Sequence, residues 1–379
     1  MRVLLYQIGI KRKKIKKHKK KDTLTFKVNH RIMQKKGDSS MKKQPHISII
    51  TPAYNTGHFL HETIDSILKQ THQNWDFYCC NDGSTDNTLD VLERYAKQDK
   101  RIHVFSHENK GLTKTLNFLL DKIEKTDYLY FLDSDDYIHP QIFEILTTIQ
   151  QKTQADVVEC GSIRVKDQKP TDYYKTYDIN TLHIDIQTDM TPYLLRRTRK
   201  NLSNGWINKW NKIYVWDKVK NLRYNENLSY EDDFFYNQQA HTMIETKAVI
   251  NIPLYYWRIN VNSTTGNVNW EKYQNATASR IYATYDYFIR DNRLASGIKT
   301  EFMQDLTQDA YRMVGLKPIC RCKDAQLRRK LFLQAGELLN DMIQKNVILP
   351  ALMNPYKRFV LWSIRKKLYY LTRMLLIIK

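Results

Sequence analysis

Blocks of hydrophobic and polar positions alternate along the first part of the chain. Residues 46–52 (His46-Ile47-Ser48-Ile49-Ile50-Thr51-Pro52) form a short apolar run closed by proline, the pattern of a buried parallel strand. From 59 to 70, Leu60, Ile64, Ile67 and Leu68 recur at helical spacing. Residues 75–80 read as a second strand, halted by Asn81-Asp82-Gly83-Ser84, and 88–98 as a helix with Leu89, Val91, Leu92 and Tyr95 apolar. A third strand at 102–105, a helix at 112–123 and a fourth strand at 128–132 follow, the last running into a cluster of acids. Strands alternating with helices predict an α/β, Rossmann-like, mostly parallel sheet flanked by helices. Ligands of such a sheet bind beyond the carboxyl ends of its strands. Three strand ends carry turn or polar chemistry: Pro52-Ala53-Tyr54-Asn55, Asn81-Asp82-Gly83-Ser84 and Asp133-Ser134-Asp135-Asp136.

Periodicity weakens after 150. Residues 150–265 are irregular and rich in Trp and Tyr, with strands expected at 156–163 and near 248–257. From 270 to 348 it is helical, as in Tyr282, Tyr285 and Phe288 and later Leu327, Leu331 and Phe332, predicting a C-terminal helical extension. Residues 356–379 predict one amphipathic helix whose stripe is Val360, Leu361, Ile364, Leu368, Leu371, Leu375 and Ile378. The expected organisation is a basic flexible tail (1–45), a catalytic domain (46–265, in halves 46–140 and 141–265), a helical region (266–355) and a basic amphipathic helix (356–379). Met41 is an alternative start, since a domain opens directly after it.

Charge sharpens this division. The 379 residues carry 61 Lys and Arg against 40 Asp and Glu, a formal charge of +21. Residues 1–40 account for +12 and residues 356–379 for +7, leaving +2 for 41–355. A nucleic-acid-binding protein would carry its cations among aromatics on the folded body, so no nucleic-acid partner is expected. The cationic ends instead predict attraction to an anionic membrane surface. No run approaches the roughly 18 apolar residues of a membrane span. Five cysteines, with no C-x-x-C pair, read as reduced and mostly buried thiols. The expected location is cytoplasmic, peripheral to the inner face of the cell membrane.

Candidate chemistry lies at the strand ends. Asp133-x-Asp135 after a buried strand can ligate Mn²⁺ or Mg²⁺ that also bridges phosphate oxygens. Taken alone it is more often a turn or helix cap, as Asp82-Gly83-Ser84-x-Asp86 can be an ordinary capping turn and Tyr54 an ordinary aromatic. Jointly they supply base stacking, a hydrogen-bonding carboxylate and charge neutralisation, the parts needed to hold a nucleoside diphosphate. A nucleotidyltransferase would want a Gly-rich, cation-bearing phosphate loop near the first strand, which Pro52-Ala53-Tyr54-Asn55-Thr56-Gly57 is not.

The series Ile49-Ile50-Thr51-Pro52-Ala53-Tyr54-Asn55, Ser66-Ile67-Leu68-x-Gln70-Thr71, Asn81-Asp82-Gly83-Ser84-Thr85-Asp86, Asn109-x-Gly111-Leu112 and Phe131-Leu132-Asp133-Ser134-Asp135-Asp136 resembles the family 2 inverting glycosyltransferases of the GT-A fold. The resemblance continues less closely through Trp210-Asn211-Lys212-Ile213-Tyr214, Tyr230-Glu231-Asp232-Asp233-Phe234-Phe235 and Tyr255-Tyr256-Trp257-Arg258, to about residue 265. It implies a UDP-sugar donor held by Pro52, Tyr54 stacked on uracil, Asp82 hydrogen-bonded to it, and Ser84. Asp135 would be the main metal ligand, with Asp133 near the ribose or metal. Asp232 would be the catalytic base, an assignment open by one position to its neighbours Glu231 and Asp233. Arg258 would close over the diphosphate or be a plain surface cation. The implied reaction moves a hexose or N-acetylhexosamine to a glycan or lipid-linked saccharide with inversion, in bacterial surface polysaccharide or lipooligosaccharide synthesis. Asn81 stands where the family often has an acid, and Thr115-Leu116-Asn117 lacks an expected cation, for which Lys114 is the candidate substitute.

Overall fold

The computed structural model describes residues 44–166, 169–195, 208–259, 268–294 and 296–377. The Lys-rich segment, Ser263 to Thr265 and Ile378 lie outside the described residues. Strands β1 (Ile47–Ala53), β2 (Trp75–Asp82), β3 (Ile102–His107) and β4 (Tyr128–Phe131) alternate with helices α1 (Gly57–Leu68), α2 (Thr88–Ala96) and α3 (Leu112–Asp121). β1 lies between β2 and β4, and all three pairings in β3-β2-β1-β4 are parallel. Successive side chains enter opposite layers, as strand geometry requires. Ile47, Ile49, Tyr128 and Tyr130 pack with α1 and α2 residues such as Ile64 and Leu92, whereas Ile50, Leu129 and Phe131 pack with Leu116 and Leu119 of α3. Burial on both faces explains why these strands read as continuous apolar runs.

Beyond β4 the sheet changes character. β5 (Tyr137–Ile138), α4 (Ile142–Thr153), β6 (Val157–Val165), β7 (Ile184–Gln187), α5 (Thr191–Leu194), β8 (Lys212–Val215), α6 (Trp216–Val219), α7 (Asp232–Ala240) and β9 (Lys247–Arg258) follow. β8 inserts antiparallel between β4 and β6, and β9 pairs parallel with β6 but antiparallel with β5 and β7. The whole is therefore a nine-stranded mixed sheet, which corrects the expectation of a mostly parallel one. β5, β7 and β8 span only two to four residues, too few to show a period.

Helices α8 (Trp270–Tyr285), α9 (Lys299–Asp309), α10 (Lys317–Arg321), α11 (Ala325–Gln344), α12 (Pro355–Arg365) and α13 (Tyr369–Ile377) complete the described chain. They share a core of their own, including Ile281, Leu306, Leu339 and Ile364. A smaller apolar cluster joins Leu228 and Phe235 to Phe288 and Phe302 and so seats α7 on the helical region. The single C-terminal helix predicted from periodicity is two helices, broken where Lys367 takes a left-handed φ of 58°. Val360, Leu361 and Ile364 of the predicted stripe are buried in the helical core, not turned to a surface. No helix among the described residues is long and apolar enough to cross a membrane. Cys79, Cys80, Cys160 and Cys322 are buried and Cys320 is exposed.

Candidate active site

The loops after β1, β2 and β3 are bound into one rim. Asn55 N–H donates to Ser84 Oγ (2.9 Å), and Thr85 N–H to Asn55 Oδ1 (2.8 Å). Asp86 accepts from the backbone of Gly57 (3.1 Å) and Thr88 (3.0 Å). Burial pushes the Asp86 carboxyl up, but these amides and the Thr88 hydroxyl outweigh it, so its pKa lies below the usual carboxylate value. Asp82 is buried and accepts from the amides of Lys110 (2.7 Å) and Gly111 (3.0 Å), while His107 Nδ1 lies 3.4 Å away. The close approach of these loops needs glycine at 83. Its φ is +69°, and a Cβ there would sit 2.4 Å from the Asn109 amide nitrogen. Pro52 is half-buried opposite Cys80 of β2, and Tyr54 stands on the rim, 50% exposed.

The acids after β4 are held from behind. Asp136 is fully buried and accepts from the Tyr255 hydroxyl (2.7 Å) and the Arg258 amide (2.8 Å). Burial, with the adjacent Asp135 and Asp133, raises its pKa well above the carboxylate range. Thr63 Oγ1 donates to the carbonyl of Asp136 (2.7 Å), and Arg258 Nε to that of Asp135 (2.9 Å). The Arg258 guanidinium also pairs with Glu62 at 2.7 Å and is largely buried. Arg258 thus braces the backbone of the acidic turn. Asp133 and Asp135 remain half-buried.

Facing this turn is the N-terminus of α7. Lys209, just before β8 and 3% exposed, sets its ammonium 3.1 Å from Asp133 and 3.0 Å from Asp233. Burial opposes its charge, but Asp133, Asp233 and Asp232 together more than compensate and raise its pKa. Asp232 opens α7, where the helix dipole favours a carboxylate. Its Oδ2 is buried and has no hydrogen-bond partner among the described residues. Burial, with the neighbouring Asp233, pushes its pKa up to about 7, against the opposing pull of Lys209. Glu231 takes a left-handed φ of 57° and turns away to Arg280 of α8, at 3.0 Å. The three consecutive acids therefore have three different environments: a helix anchor for Glu231, Lys209 for Asp233, and no donor for Asp232 Oδ2.

The structure brings Asp133, Asp232 and Asp233 together through a residue that sequence reasoning missed. Lys209 adjoins the noticed Trp210-Asn211-Lys212 segment, but nothing in its spacing announces a buried bridge. Asp136 lay in the quoted acidic run, and its anchoring role follows only from the tyrosine and arginine of β9. An open polar cleft of about 460 Å³ lies between Asn227 and Ser229 and the first turns of α8, and none of the acids of the strand-end and α7 cluster line it. Among the described residues no three His, Cys, Asp or Glu side chains gather as a metal cage. A divalent cation that takes one or two carboxylates and completes its shell with phosphate oxygens needs no such cage. Asp133 and Asp135 fit that mode, and a cluster with more carboxylates than ammonium groups would otherwise repel a diphosphate.

Comparisons with known proteins bear on this arrangement. The profile of Glycosyl transferase family 2 matches residues 48–211. The uncharacterized glycosyltransferase EpsJ of Bacillus subtilis is 30% identical over 223 residues, covering 58% of this chain and 63% of that protein, a little under two thirds of its length. The putative teichuronic acid biosynthesis glycosyltransferase TuaG of Bacillus subtilis is 31% identical over 190 residues, covering 45% of this chain and 75% of that protein. The crystal structure of S. aureus TarS 1-349 in complex with UDP-GlcNAc shares the fold, with a TM-score of 0.62 at 19% identity over 87% of this chain and 90% of that one. With the family profile matching residues 48–211 and a 31% identical match spanning three quarters of TuaG, the chain belongs to glycosyl transferase family 2.

Proposed function

We propose that this chain is an inverting glycosyltransferase that moves a hexose or N-acetylhexosamine from a UDP-sugar to a hydroxyl of a glycan or lipid-linked saccharide, in the synthesis of a bacterial surface polysaccharide. Residues 46–140 form the donor half and 141–265 the acceptor half, with 266–355 supporting α7. Tyr54 stacks on the uracil, and Pro52, Asp82 and Ser84 shape the pocket beneath it. The enzyme acts at the cytoplasmic face of a membrane, where a lipid-linked acceptor is presented. The name of TuaG supports an acceptor of the cell-surface polysaccharide class.

One observation carries the catalytic reading: a buried Asp232 oxygen with no donor, on a carboxylate poised near neutral pH, next to the Asp233 that Lys209 ties to Asp133 of the acidic turn. A base must be within reach of the acceptor hydroxyl and matched to working pH. Asp232 takes the proton as the acceptor oxygen bonds to the anomeric carbon. On the opposite face the bond to the diphosphate oxygen breaks, and its electron pair leaves with UDP. A single displacement inverts the centre, so an α-linked donor gives a β-glycoside. Mn²⁺ or Mg²⁺ held by Asp133 and Asp135, when bound, offsets charge that develops on the diphosphate. Lys209 keeps Asp133 and the start of α7 in fixed relation, and Asp136 with Arg258 fixes the turn that presents Asp133 and Asp135.

The test is a panel of UDP-sugars assayed for UDP release with a soluble glycan acceptor, with and without Mn²⁺. Metal-dependent release with one donor, abolished in Asp135→Ala, is the expected result. No release with any donor contradicts the reading.

A further inference from the structure

Five of the eleven large apolar side chains exposed among the described residues fall within 359–374: Phe359, Trp362, Leu368, Tyr370 and Met374. Their placement follows from how α12 and α13 pack. The Tyr356 hydroxyl donates to the carbonyl of Leu375, and Ser363 Oγ lies 2.7 Å from Thr372 Oγ1. The start of one helix thus meets the end of the other, and the pair is an antiparallel hairpin. Both helices bury their inner sides in the same core, through Val360, Leu361 and Ile364 of α12 and, partly, Tyr369, Leu375 and Leu376 of α13.

The outer sides are therefore turned away from that core. After Pro355, the exposed positions of α12 and its C-cap are Arg358, Phe359, Trp362 and Lys366, at spacings of one, three and four. On α13 they are Tyr370, Arg373 and Met374, with Tyr370 79% exposed. Phe359 and Trp362 lie parallel with ring centroids 5.5 Å apart. Residues 355–377 contain six cations and no acid. Lys357, Arg365 and Lys367 are engaged at the flanks with Gln308, Asn340 and Glu337.

We propose that this outer face of the α12–α13 hairpin docks on the anionic headgroup surface of a lipid bilayer. The inference rests on the membrane placement proposed above and specifies the surface responsible. Amphipathic aromatics flanked by Lys and Arg are what a bilayer interface accepts, with rings at headgroup level and cations on lipid phosphate. A second copy of the chain is a poorer occupant. A two-fold contact of this face with itself would bring the Arg358, Lys366 and Arg373 cations of two copies together, with no acid on the hairpin to receive them. Val360, Leu361 and Ile364 of the stripe expected from periodicity are buried and take no part in docking.

The experiment is co-sedimentation of the full chain with phosphatidylcholine vesicles and with mixed phosphatidylcholine–phosphatidylglycerol vesicles, at low and high salt. Two double variants accompany it: Phe359→Ala with Trp362→Ala, and Lys366→Glu with Arg373→Glu. These side chains are exposed, and an unchanged melting temperature checks the fold. The native chain is expected to bind the anionic vesicles in a salt-sensitive manner, and each pair to weaken binding about tenfold or more. Binding in both variants equal to native would show that the Lys-rich segment at 11–21 suffices and would overturn the proposal. So would absence of native binding, or a dimer that the aromatic pair dissolves while vesicle binding persists. Transfer to a water-soluble acceptor is unchanged in both variants if the two readings hold. Vesicle binding without transfer by the native chain would break the enzymatic reading and leave the docking surface standing.

Discussion

The two sides of the candidate site treat their carboxylates differently. On the rim formed by the β1, β2 and β3 loops, Asp82 and Asp86 each accept two backbone amides. On the α7 side, Asp233 faces an ammonium and Asp232 Oδ2 faces no donor. Amides stabilise the charged form and hold Asp86 low, whereas desolvation, with the neighbouring Asp233, lifts Asp232 to about 7. Acids of one type thus become rigid scaffolding in one place and a titrating group in the other. The environment, not the residue, assigns the role.

The contrast is sharpest at Asp232. Asp232→Asn is expected to lower transfer about 10²- to 10⁴-fold, the range for a positioned base, while UDP-sugar affinity by calorimetry stays near native. The same variant should melt higher than native at pH 8. A carboxyl whose folded-state pKa is raised contributes stability that is present at low pH and is lost as pH climbs through that pKa. Asn carries no charge to desolvate. A lower melting temperature at pH 8 would mean that the ionised carboxylate is well solvated.

Lys209→Met removes the ammonium that bridges Asp133 and Asp233 and leaves those carboxylates without it. Loss of one partner from a buried ion pair costs about 3–5 kcal/mol, measurable by denaturant unfolding, and Lys209→Arg should recover much of it. A loss below ~1 kcal/mol would show the pair to be solvent-screened. On the rim, Gly83→Ala is expected to cost about 1–3 kcal/mol from its positive φ and the Asn109 contact. It should raise the donor KM without moving the acidic limb of the pH profile. Tyr54→Ala, at an exposed position, should leave the melting temperature unchanged and weaken UDP binding by about 1–3 kcal/mol, the usual value of base stacking on an aromatic ring.

The same contrast explains what the sequence made legible. β1 to β4 and α1 to α3 declare themselves because each is a continuous local pattern joined by short loops, and the strand-end motifs lie inside those loops. The α7 cluster unites residues from three distant segments, and only the tertiary path brings Lys209 to Asp133. Asp232 was named from its pattern, but its separation from Glu231 depends on the left-handed backbone at 231 and on Arg280, some fifty positions later. Sheet direction was misjudged for a related reason. β8 runs antiparallel beside β4, and four residues carry no signal of orientation. At the C-terminus, periodicity and charge together predict a membrane-facing helix, but Val360, Leu361 and Ile364 of its stripe are buried in the helical core.

The most direct test of the account is the pH dependence of kcat/KM for transfer by the native chain, Asp232→Asn and Asp233→Asn. The native rate should fall about tenfold per unit below pH 7, with Asp233→Asn keeping such a limb and Asp232→Asn losing both the limb and the bulk of the rate. The same acidic limb in Asp232→Asn at near-native rate would contradict the assignment of Asp232 as the base.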